Sequence, residues 1–419
     1  MEKINLSVIY LLYVGFVNSG TGTSKVPGNK LLNFAIPDAR SLKKSLRFDE
    51  DIYLNFTELA YKYKYPTEEH HVVTEDGYIL TVFRILPKCR NVTGYPIILL
   101  HGIFDSSDVF ILAGPQNGLG YVLTKNCYDV WAANHRGNVY SRKHLLFDPN
   151  KDPEYWNYSF DEHGFYDLPA VIDYVMKSTG LPKVNFIGHS QGTTDFITMA
   201  SLKPDYNAKI QLSVHLSPVV FLTTFSIPIL KLLAPSVHSF KDAFDKAGFS
   251  EVLAKHQLAH AFMEYSCRFA PDAICGTGLY VTTGYKSGTI SSRILSVAAG
   301  HLFSGVSTKS LAHLGQLIAS QKFQRYDEGT AGNIERYGTP RPPEYNLSKV
   351  TSPVLLMTGQ NDFLSPLDDV NKLASKLPNL IENVIIPNPT WSHNNHLWGK
   401  DVWKFEFPKI LENIRSFNS

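Results

Sequence analysis

The pentapeptide Gly188–Gly192 (GHSQG) is the feature that most constrains how this chain can fold. It directly follows an apolar run, Val184–Ile187, and a segment with helical spacing of apolar residues extends beyond it from Thr193 to Leu202. A serine between two glycines in a strand–turn–helix setting is typical of a nucleophile elbow, because the glycines let neighbouring backbone pass close to a strained turn. The pattern therefore predicts Ser190 as a nucleophile.

The rest of the chain favours an α/β architecture. Short apolar runs alternate with helical stretches, which predicts a mostly parallel sheet with helices on both faces. Glu69–Val73 and Tyr78–Ile85 flank a turn sequence and predict an antiparallel hairpin at the sheet edge. Together with the elbow, this organisation predicts an α/β-hydrolase fold. The predicted core strands are Ile97–Leu100, Tyr128–Ala132, Val184–Ile187, Leu212–Leu216, Val354–Thr358 and Val384–Ile386.

The alternation of short apolar runs with helical stretches stops between residues 217 and 350, and the next predicted strand begins at Val354. A structureless loop of that length is not expected in a compact domain, so the segment is interpreted as an inserted, mainly helical cap. The core is then divided into residues 20–216 and 351–419. The apolar stretch Phe221–Pro235 is either an ordinary core helix or a movable cover over an apolar pocket, and its periodicity leaves both open.

An acyl-transfer serine needs N–H donors aimed at the oxyanion that forms on the substrate carbonyl. One donor is expected from the residue after the nucleophile, Gln191, and the other from the loop after an early strand. The strand Ile97–Leu100 ends in His101-Gly102, which predicts the N–H of Ile103 as the second donor.

The acid and the base should follow the serine in the order acid, then histidine. Asp362 lies just past the buried strand Val354–Thr358 and is the predicted acid, whereas Asp368 and Asp369 are interpreted as surface charges of the next helix. In the C-terminal segment two histidines, His393 and His396, are candidates for the base, and spacing alone leaves both open.

Export from the cell is predicted by the first residues, where Lys3 precedes an apolar run and then small polar residues. That order is typical of a secretory signal peptide over residues 1–19, and no later run is long enough for a transmembrane anchor. Cys267 and Cys275 flank a bend and predict a disulfide, while the pairing of Cys89 and Cys127 stays open. Predicted glycosylation sequons begin at Asn55, Asn91, Asn157 and Asn346.

Several function classes are disfavoured. With 40 basic and 38 acidic residues the net charge is only +2, and no basic stretch predicts a nucleic-acid partner. No glycine-rich phosphate loop follows an early strand, so no nucleotide cofactor is expected. No metal site is predicted either: there is no Cys-x-x-Cys, and His256 and His260 flank Gln257 where a metalloprotease would have glutamate.

At this point the chain resembles the acid lipase family, which includes gastric and lysosomal acid lipases and insect relatives. The resemblance covers nearly the whole mature chain in the same order. It is carried by Tyr65–Glu69, Val73–Leu80, His101–Ile103 with Ser106–Asp108, Asn134–Asn138 with Tyr140–Arg142, Gly188–Gly192, Phe323–Asp327, Pro342–Asn346, Asn361–Asp362 and Leu377–Leu380.

The resemblance implies roles for residues of this chain: Ser190 as nucleophile, Asp362 as acid, and the N–H groups of Ile103 and Gln191 as oxyanion donors. The pair Cys267 and Cys275 also resembles the family's disulfide. The family pattern around the histidine is altered here, and gapless matching favours His393, with His396 as the alternative.

The expected substrates are lipid carboxylic esters, triacylglycerols first and steryl esters as a further class, met at a lipid–water interface or a micelle surface. Secretion is expected, with delivery to lysosomes as an alternative. Two other hypotheses remain: a catalytically silent lipid-binding homologue, and a serine hydrolase of non-lipid esters.

Overall fold

The computed structural model describes residues 40, 44, 48–224, 227–254 and 258–418. The predicted signal peptide, residues 1–19, lies outside the described residues, as does His256. Within the described ranges, no helix is long and apolar enough to span a bilayer.

A mixed sheet forms the centre of the protein, with the strand order β1-β2-β4-β3-β6-β7-β10-β11 and β5 paired to β2. Its first strands, β1, β2 and β4, pair antiparallel, and all pairs from β4 through to β11 are parallel. The predicted edge hairpin and parallel core are confirmed. The strands are β1 (Thr67–Val73), β2 (Tyr78–Ile85), β3 (Ile97–Leu100), β4 (Val130–Ala133), β5 (Lys143–His144), β6 (Val184–His189), β7 (Ile210–Leu216), β8 (Glu251–Val252), β9 (Val306–Ser307), β10 (Val354–Thr358) and β11 (Leu380–Ile385).

Both faces of the sheet are buried, as parallel strands require. Along β3 the side chains alternate between two cores: Ile97 and Leu99 enter one hydrophobic cluster, and Ile98 and Leu100 enter the other. Since successive strand residues point to opposite faces, this alternation explains why the strand is apolar throughout.

The described helices lie around the sheet and in the segment between β7 and β10. They are α1 (Phe56–Lys62), α2 (Gly114–Asn117), α3 (Leu119–Lys125), α4 (Phe160–Glu162), α5 (Leu168–Thr179), α6 (Gln191–Leu202), α7 (Pro228–Leu233), α8 (Val237–Lys246), α9 (Leu258–Phe269), α10 (Thr277–Thr283), α11 (Ser292–His301), α12 (Thr308–Ser320), α13 (Gly329–Tyr337), α14 (Leu367–Ala374), α15 (Asn395–Trp398), α16 (Val402–Phe405) and α17 (Phe407–Asn418). A π-helical turn, His163–Asp167, joins α4 to α5.

Two predicted strand boundaries were wrong. The strand expected from Tyr128 begins at Val130, because the Tyr128 N–H closes the preceding helix by donating to Leu123 O at 3.2 Å. The strand expected at Val384–Ile386 is the edge strand β11 and runs earlier, over Leu380–Ile385. Its side chains are half-buried or exposed, and Glu382 and Asn383 interrupt its apolar run.

The segment between β7 and β10 holds α7 to α13 and a small antiparallel sheet of β8 and β9. This segment is mainly helical, and its interpretation as an inserted cap stays a prediction. Cys267 and Cys275 form the predicted disulfide within it. Cys89 and Cys127, whose pairing was open, are bonded to each other.

Candidate active site

Ser190 lies at the turn between β6 and α6, with φ 53° and ψ −119°. A non-glycine residue at positive φ is strained, and the surrounding structure has to hold it. The Ser190 N–H donates to Leu216 O of the neighbouring strand β7 at 3.1 Å. At Gly192 a β-carbon would collide with the carbonyl oxygen of Leu100, so only glycine lets α6 start this close to β3. The sequence signature of an elbow is thus matched by elbow geometry.

The two predicted oxyanion donors lie beside the serine. Gln191 is the first residue of α6, and Ile103 follows β3. A β-carbon at Gly102 would lie 3.0 Å from Ser190 Cβ, which shows how closely the Ile103 loop approaches the nucleophile. Neither the Gln191 nor the Ile103 N–H donates to another described residue. Both are therefore available to a substrate oxygen, and the N-terminus of α6 adds a favourable dipole for negative charge.

Asp362 and His393 form a buried pair. His393 Nδ1 lies 2.9 Å and 3.1 Å from the two carboxylate oxygens of Asp362. The carboxylate also accepts the N–H groups of Leu364 and Ser365, each at 2.9 Å. Burial alone would raise the pKa of Asp362, but the facing His393 ring and these N–H donors outweigh it, so the pKa lies below its usual value. An ionised carboxylate beside Nδ1 fixes the orientation of the imidazole ring and keeps the ring proton on Nδ1. Nε2 is then unprotonated and can accept a proton.

His396, the alternative base, is placed elsewhere. Its side chain is fully buried, and Nδ1 lies 2.8 Å from Glu406 Oε2. The structure therefore gives each histidine its own carboxylate, and only His393 faces the acid at the end of β10.

His189, the residue before the nucleophile, was not singled out from the sequence. Its Nε2 lies 3.1 Å from the His393 carbonyl oxygen, and the two rings are 4.8 Å apart. Burial lowers the pKa of His189 well below its usual value, so its ring is neutral and donates to that carbonyl. This contact brings the elbow and the His393 loop together across 204 residues of sequence.

The Ser190 hydroxyl makes no hydrogen bond to the His393 ring in this structure. Such bonds are often long or poorly aligned before substrate binds and tighten in the reacting complex. The carboxyl end of the parallel strands, where ligands of open α/β sheets bind, nevertheless holds all the predicted site residues: Ser190, Asp362, His393, Ile103 and Gln191.

The insertion between β7 and β10 covers this region. The Ser304 N–H donates to the Phe104 carbonyl in the oxyanion loop at 2.9 Å, and Phe303 and Phe104 have ring centres 6.3 Å apart. The cavity beside Ile103 and Gln191 is small: the space available to the centre of a water molecule is only about 10 Å³. That is about the space of one water molecule.

Asp369, predicted to be a surface charge, is instead buried. It accepts the N–H groups of Thr223 and Thr224 at 3.2 Å and 3.0 Å, and so fastens the start of the insertion to α14. Its role depends on a partner 146 residues away, which no local pattern displays. Asp368 is exposed, as predicted.

The sequon asparagines all have exposed side chains. Asn55 caps α1 by accepting the Glu58 N–H at 2.9 Å, and Asn157 accepts Lys309 Nζ at 2.9 Å. Because surface exposure is what a glycan needs, glycosylation at these positions stays a prediction compatible with the structure. The exposed asparagines are Asn55, Asn91, Asn157 and Asn346.

The family described as "alpha/beta hydrolase fold" matches residues 95–399, and the family described as "partial alpha/beta-hydrolase lipase region" matches residues 56–114. The chain is 34% identical to Lipase 1 of Drosophila melanogaster, over 90% of this chain and 82% of that protein. It is 35% identical to gastric triacylglycerol lipase of Bos taurus, over 85% and 90% of the two chains.

Human lysosomal acid lipase/cholesteryl ester hydrolase is 32% identical over 88% of this chain and 92% of its own. The chain belongs to the acid lipase family of α/β hydrolases. Since relatives named as lipases match it over most of its length, it is a carboxylic ester hydrolase. A solved protein from Sulfolobus solfataricus, 11% identical, superposes with a TM-score of 0.54 over 83% of this chain and 99% of its own, which supports the fold.

Proposed function

We propose that the protein is an exported lipase that hydrolyses triacylglycerols, with steryl esters as a further substrate class, through Ser190, His393 and Asp362. The observation that carries this proposal is the buried Asp362–His393 pair beside an elbow serine flanked by two free N–H groups. In this arrangement the carboxylate fixes the ring with the proton on Nδ1, so that Nε2 can accept the serine proton.

In the first half of the reaction Ser190 Oγ attacks the ester carbonyl and its proton passes to His393 Nε2. The carbonyl electron pair moves to oxygen, where the N–H groups of Ile103 and Gln191 stabilise it. Collapse of this intermediate breaks the bond to the alcohol, which takes the proton from His393 as it leaves. Water then repeats the sequence on the acyl-enzyme and releases the fatty acid and free Ser190.

Two contacts support His393 over His396 as the base. His393 is the ring held by Asp362, whereas His396 is held by Glu406. The His393 backbone is also tied to the elbow through His189. A base needs both proximity to the nucleophile and a group that orients its ring, and His393 has these two features.

A lipid substrate is supported by the insertion, which we propose is a cap over residues 217–350. Its helix α7 exposes large apolar side chains: Leu230 is 42% exposed, Leu232 74% and Leu233 41%. Apolar groups on a segment that closes over an active site suit a lipid–water interface, where they can leave water as the cap opens. Two disulfides and exposed sequons support an oxidising, exported setting, secreted or lysosomal.

The decisive experiment measures hydrolysis of a triglyceride emulsion and of a short soluble ester. The proteins compared are wild type, Ser190→Ala, His393→Gln and His396→Gln, with circular dichroism confirming that each folds. We expect loss of at least a thousand-fold in turnover for the first two variants and retained turnover for the third.

Other outcomes change the proposal in defined ways. If a folded His396→Gln variant loses turnover and His393→Gln retains it, the base is His396 and not His393. Cleavage of the soluble ester without any action on emulsion indicates a non-lipid esterase. A wild type inactive on every ester from acidic to neutral pH favours the silent lipid-binding homologue and overturns the proposal.

A further inference from the structure

Three buried side chains converge beneath the oxyanion loop, on elements that are far apart in sequence. His135 follows β4, His163 begins the π-helical turn after α4, and Asp195 lies in the first turns of α6. His135 Nε2 lies 2.6 Å from Asp195 Oδ2, and His163 Nδ1 lies 3.6 Å from Asp195 Oδ1. The two imidazole rings stack at 4.7 Å with an interplanar angle of 11°.

The polar atoms of this cluster are poorly satisfied. Both carboxylate oxygens of Asp195, Nε2 of His135 and Nε2 of His163 are buried and have no hydrogen-bond partner among the described residues. The short approach of His135 to Asp195 lacks the geometry of a hydrogen bond. Burying such groups unpaired costs about 1–3 kcal/mol each and more for a charge, so native proteins rarely leave four together.

Among the described residues, no lysine or arginine forms an ion pair with Asp195, whose only charged or titratable contacts are the two histidines. The nearby Arg136 guanidinium is held by Asp76 and Asp167. Two imidazoles and one carboxylate therefore face one another, while the neighbouring guanidinium is engaged by other carboxylates.

We propose that His135, His163 and Asp195 form a binding site for a divalent transition-metal ion, zinc being the ion that fits best. Two imidazole nitrogens and one carboxylate oxygen are the donors that zinc takes in three-ligand sites, with water in the fourth position. The adjoining cavity, lined by both histidines and Gln191, has room for about one water molecule.

The geometry requires only a small adjustment. The candidate ligand atoms all lie within 4.8 Å of one another. Ligands at zinc-like bond lengths of ~2.0 Å in a tetrahedron are ~3.3 Å apart. His135 and Asp195, which lie 2.6 Å apart, therefore separate slightly, while the His163 ring moves closer. A metal on His163 Nε2 leaves the proton on Nδ1, which the Gln191 amide, 3.1 Å away, can accept through its oxygen. The ion would fasten β4, the π-helical turn and α6 together behind the elbow.

This site is independent of the proposed hydrolysis, and its test does not use activity. Wild type and Ser190→Ala are stripped with a chelator, dialysed against zinc chloride and passed through a desalting column, and their metal content is measured by mass spectrometry. We expect close to one zinc per chain in both. With zinc about 100-fold above its Kd, the melting temperature should rise by about 3 °C.

The ligand variants are His163→Gln and Asp195→Asn, and the matched control is His215→Gln, which replaces another fully buried histidine outside the cluster. We expect retained zinc and the thermal shift to fall at least ten-fold in the ligand variants and to persist in the control. An anomalous diffraction peak at the zinc edge between the three side chains provides a measurement that needs no variant.

Two results would overturn the inference. One is the absence of retained zinc and of any zinc-dependent melting shift in wild type, which would leave a proton shared by Asp195 and His135 as the compensation. The other is equal zinc retention in all variants, or an anomalous peak elsewhere, which would assign binding to surface residues.

Discussion

Replacing Asp362 by asparagine tests whether the charged carboxylate orients the His393 ring, because the substitution removes the charge and hardly changes the shape of the side chain. The asparagine oxygen can still accept the N–H groups of Leu364 and Ser365, which lie 2.9 Å from the carboxylate. The new NH₂ group, however, faces His393 Nδ1, where the carboxylate accepted at 2.9 Å. Since two donors cannot pair, the ring takes the tautomer with its proton on Nε2 and loses its ability to accept the Ser190 proton.

The expected loss is about 10⁴-fold in kcat, or about 5.5 kcal/mol at 1.36 kcal/mol per tenfold. KM on a soluble ester should change little, because Asp362 acts through His393. The assay is steady-state hydrolysis of a short soluble ester, with the rate of Ser190 labelling by a fluorophosphonate as a second readout. Asp368→Asn is the matched control, since it is the same change at an exposed carboxylate six residues along.

Stability adds an independent check with a defined sign. The pKa of Asp362 is lowered in the folded state, so its ionised form stabilises the fold above the ordinary aspartate pKa of ~3.9. This contribution is lost as pH falls through the lowered pKa. The stability difference between wild type and Asp362→Asn should therefore shrink in acid. A variant within ten-fold of wild-type kcat, or an Asp368→Asn variant that loses as much, would refute the reasoning.

Three further predictions concern the elbow, the disulfides and the cap. Gly192→Ala should lower the free energy of unfolding by about 3 kcal/mol or prevent folding, because its β-carbon meets backbone, whereas Gly278→Ala in open space should be neutral or stabilising in thermal melts. Removing the Cys89–Cys127 disulfide, which spans 38 residues, should lower the free energy of unfolding by about 3.9 kcal/mol in denaturant titrations. Removing Cys267–Cys275, which spans 8 residues, should lower it by about 2.5 kcal/mol. The reverse order would contradict an explanation by loop entropy. Leu232→Ser should reduce hydrolysis of emulsions several-fold more than hydrolysis of a soluble ester, and equal losses would count against a lid.

Local patterns in the sequence were sufficient to predict the nucleophile elbow and the core strands of this protein. The elbow was predictable because a strained turn needs glycine beside it, and the core strands because strands buried on both faces are continuously apolar. The chain order of serine, acid and histidine then restricted the acid to the end of β10. These features are local or depend on order along the chain, so they are visible without coordinates.

Other features were decided only in three dimensions. His393 and His396 are three residues apart and equally plausible by spacing, and their roles separate only because Asp362 and Glu406 approach from different elements. The edge strand β11 was misplaced because Glu382 and Asn383 interrupt its apolar run, which an edge strand with half-buried and exposed side chains tolerates.

The cluster of His135, His163 and Asp195 shows the same limit most clearly. A metal site on one helix has a recognisable spacing, such as the four-residue spacing of His256 and His260, but these three side chains come from a strand end, a π-helical turn and a helix. What the sequence determined by itself was local backbone geometry and which faces are apolar. What only the tertiary structure decided was which charges meet, because electrostatic partners depend on distance in space and leave no period along the chain.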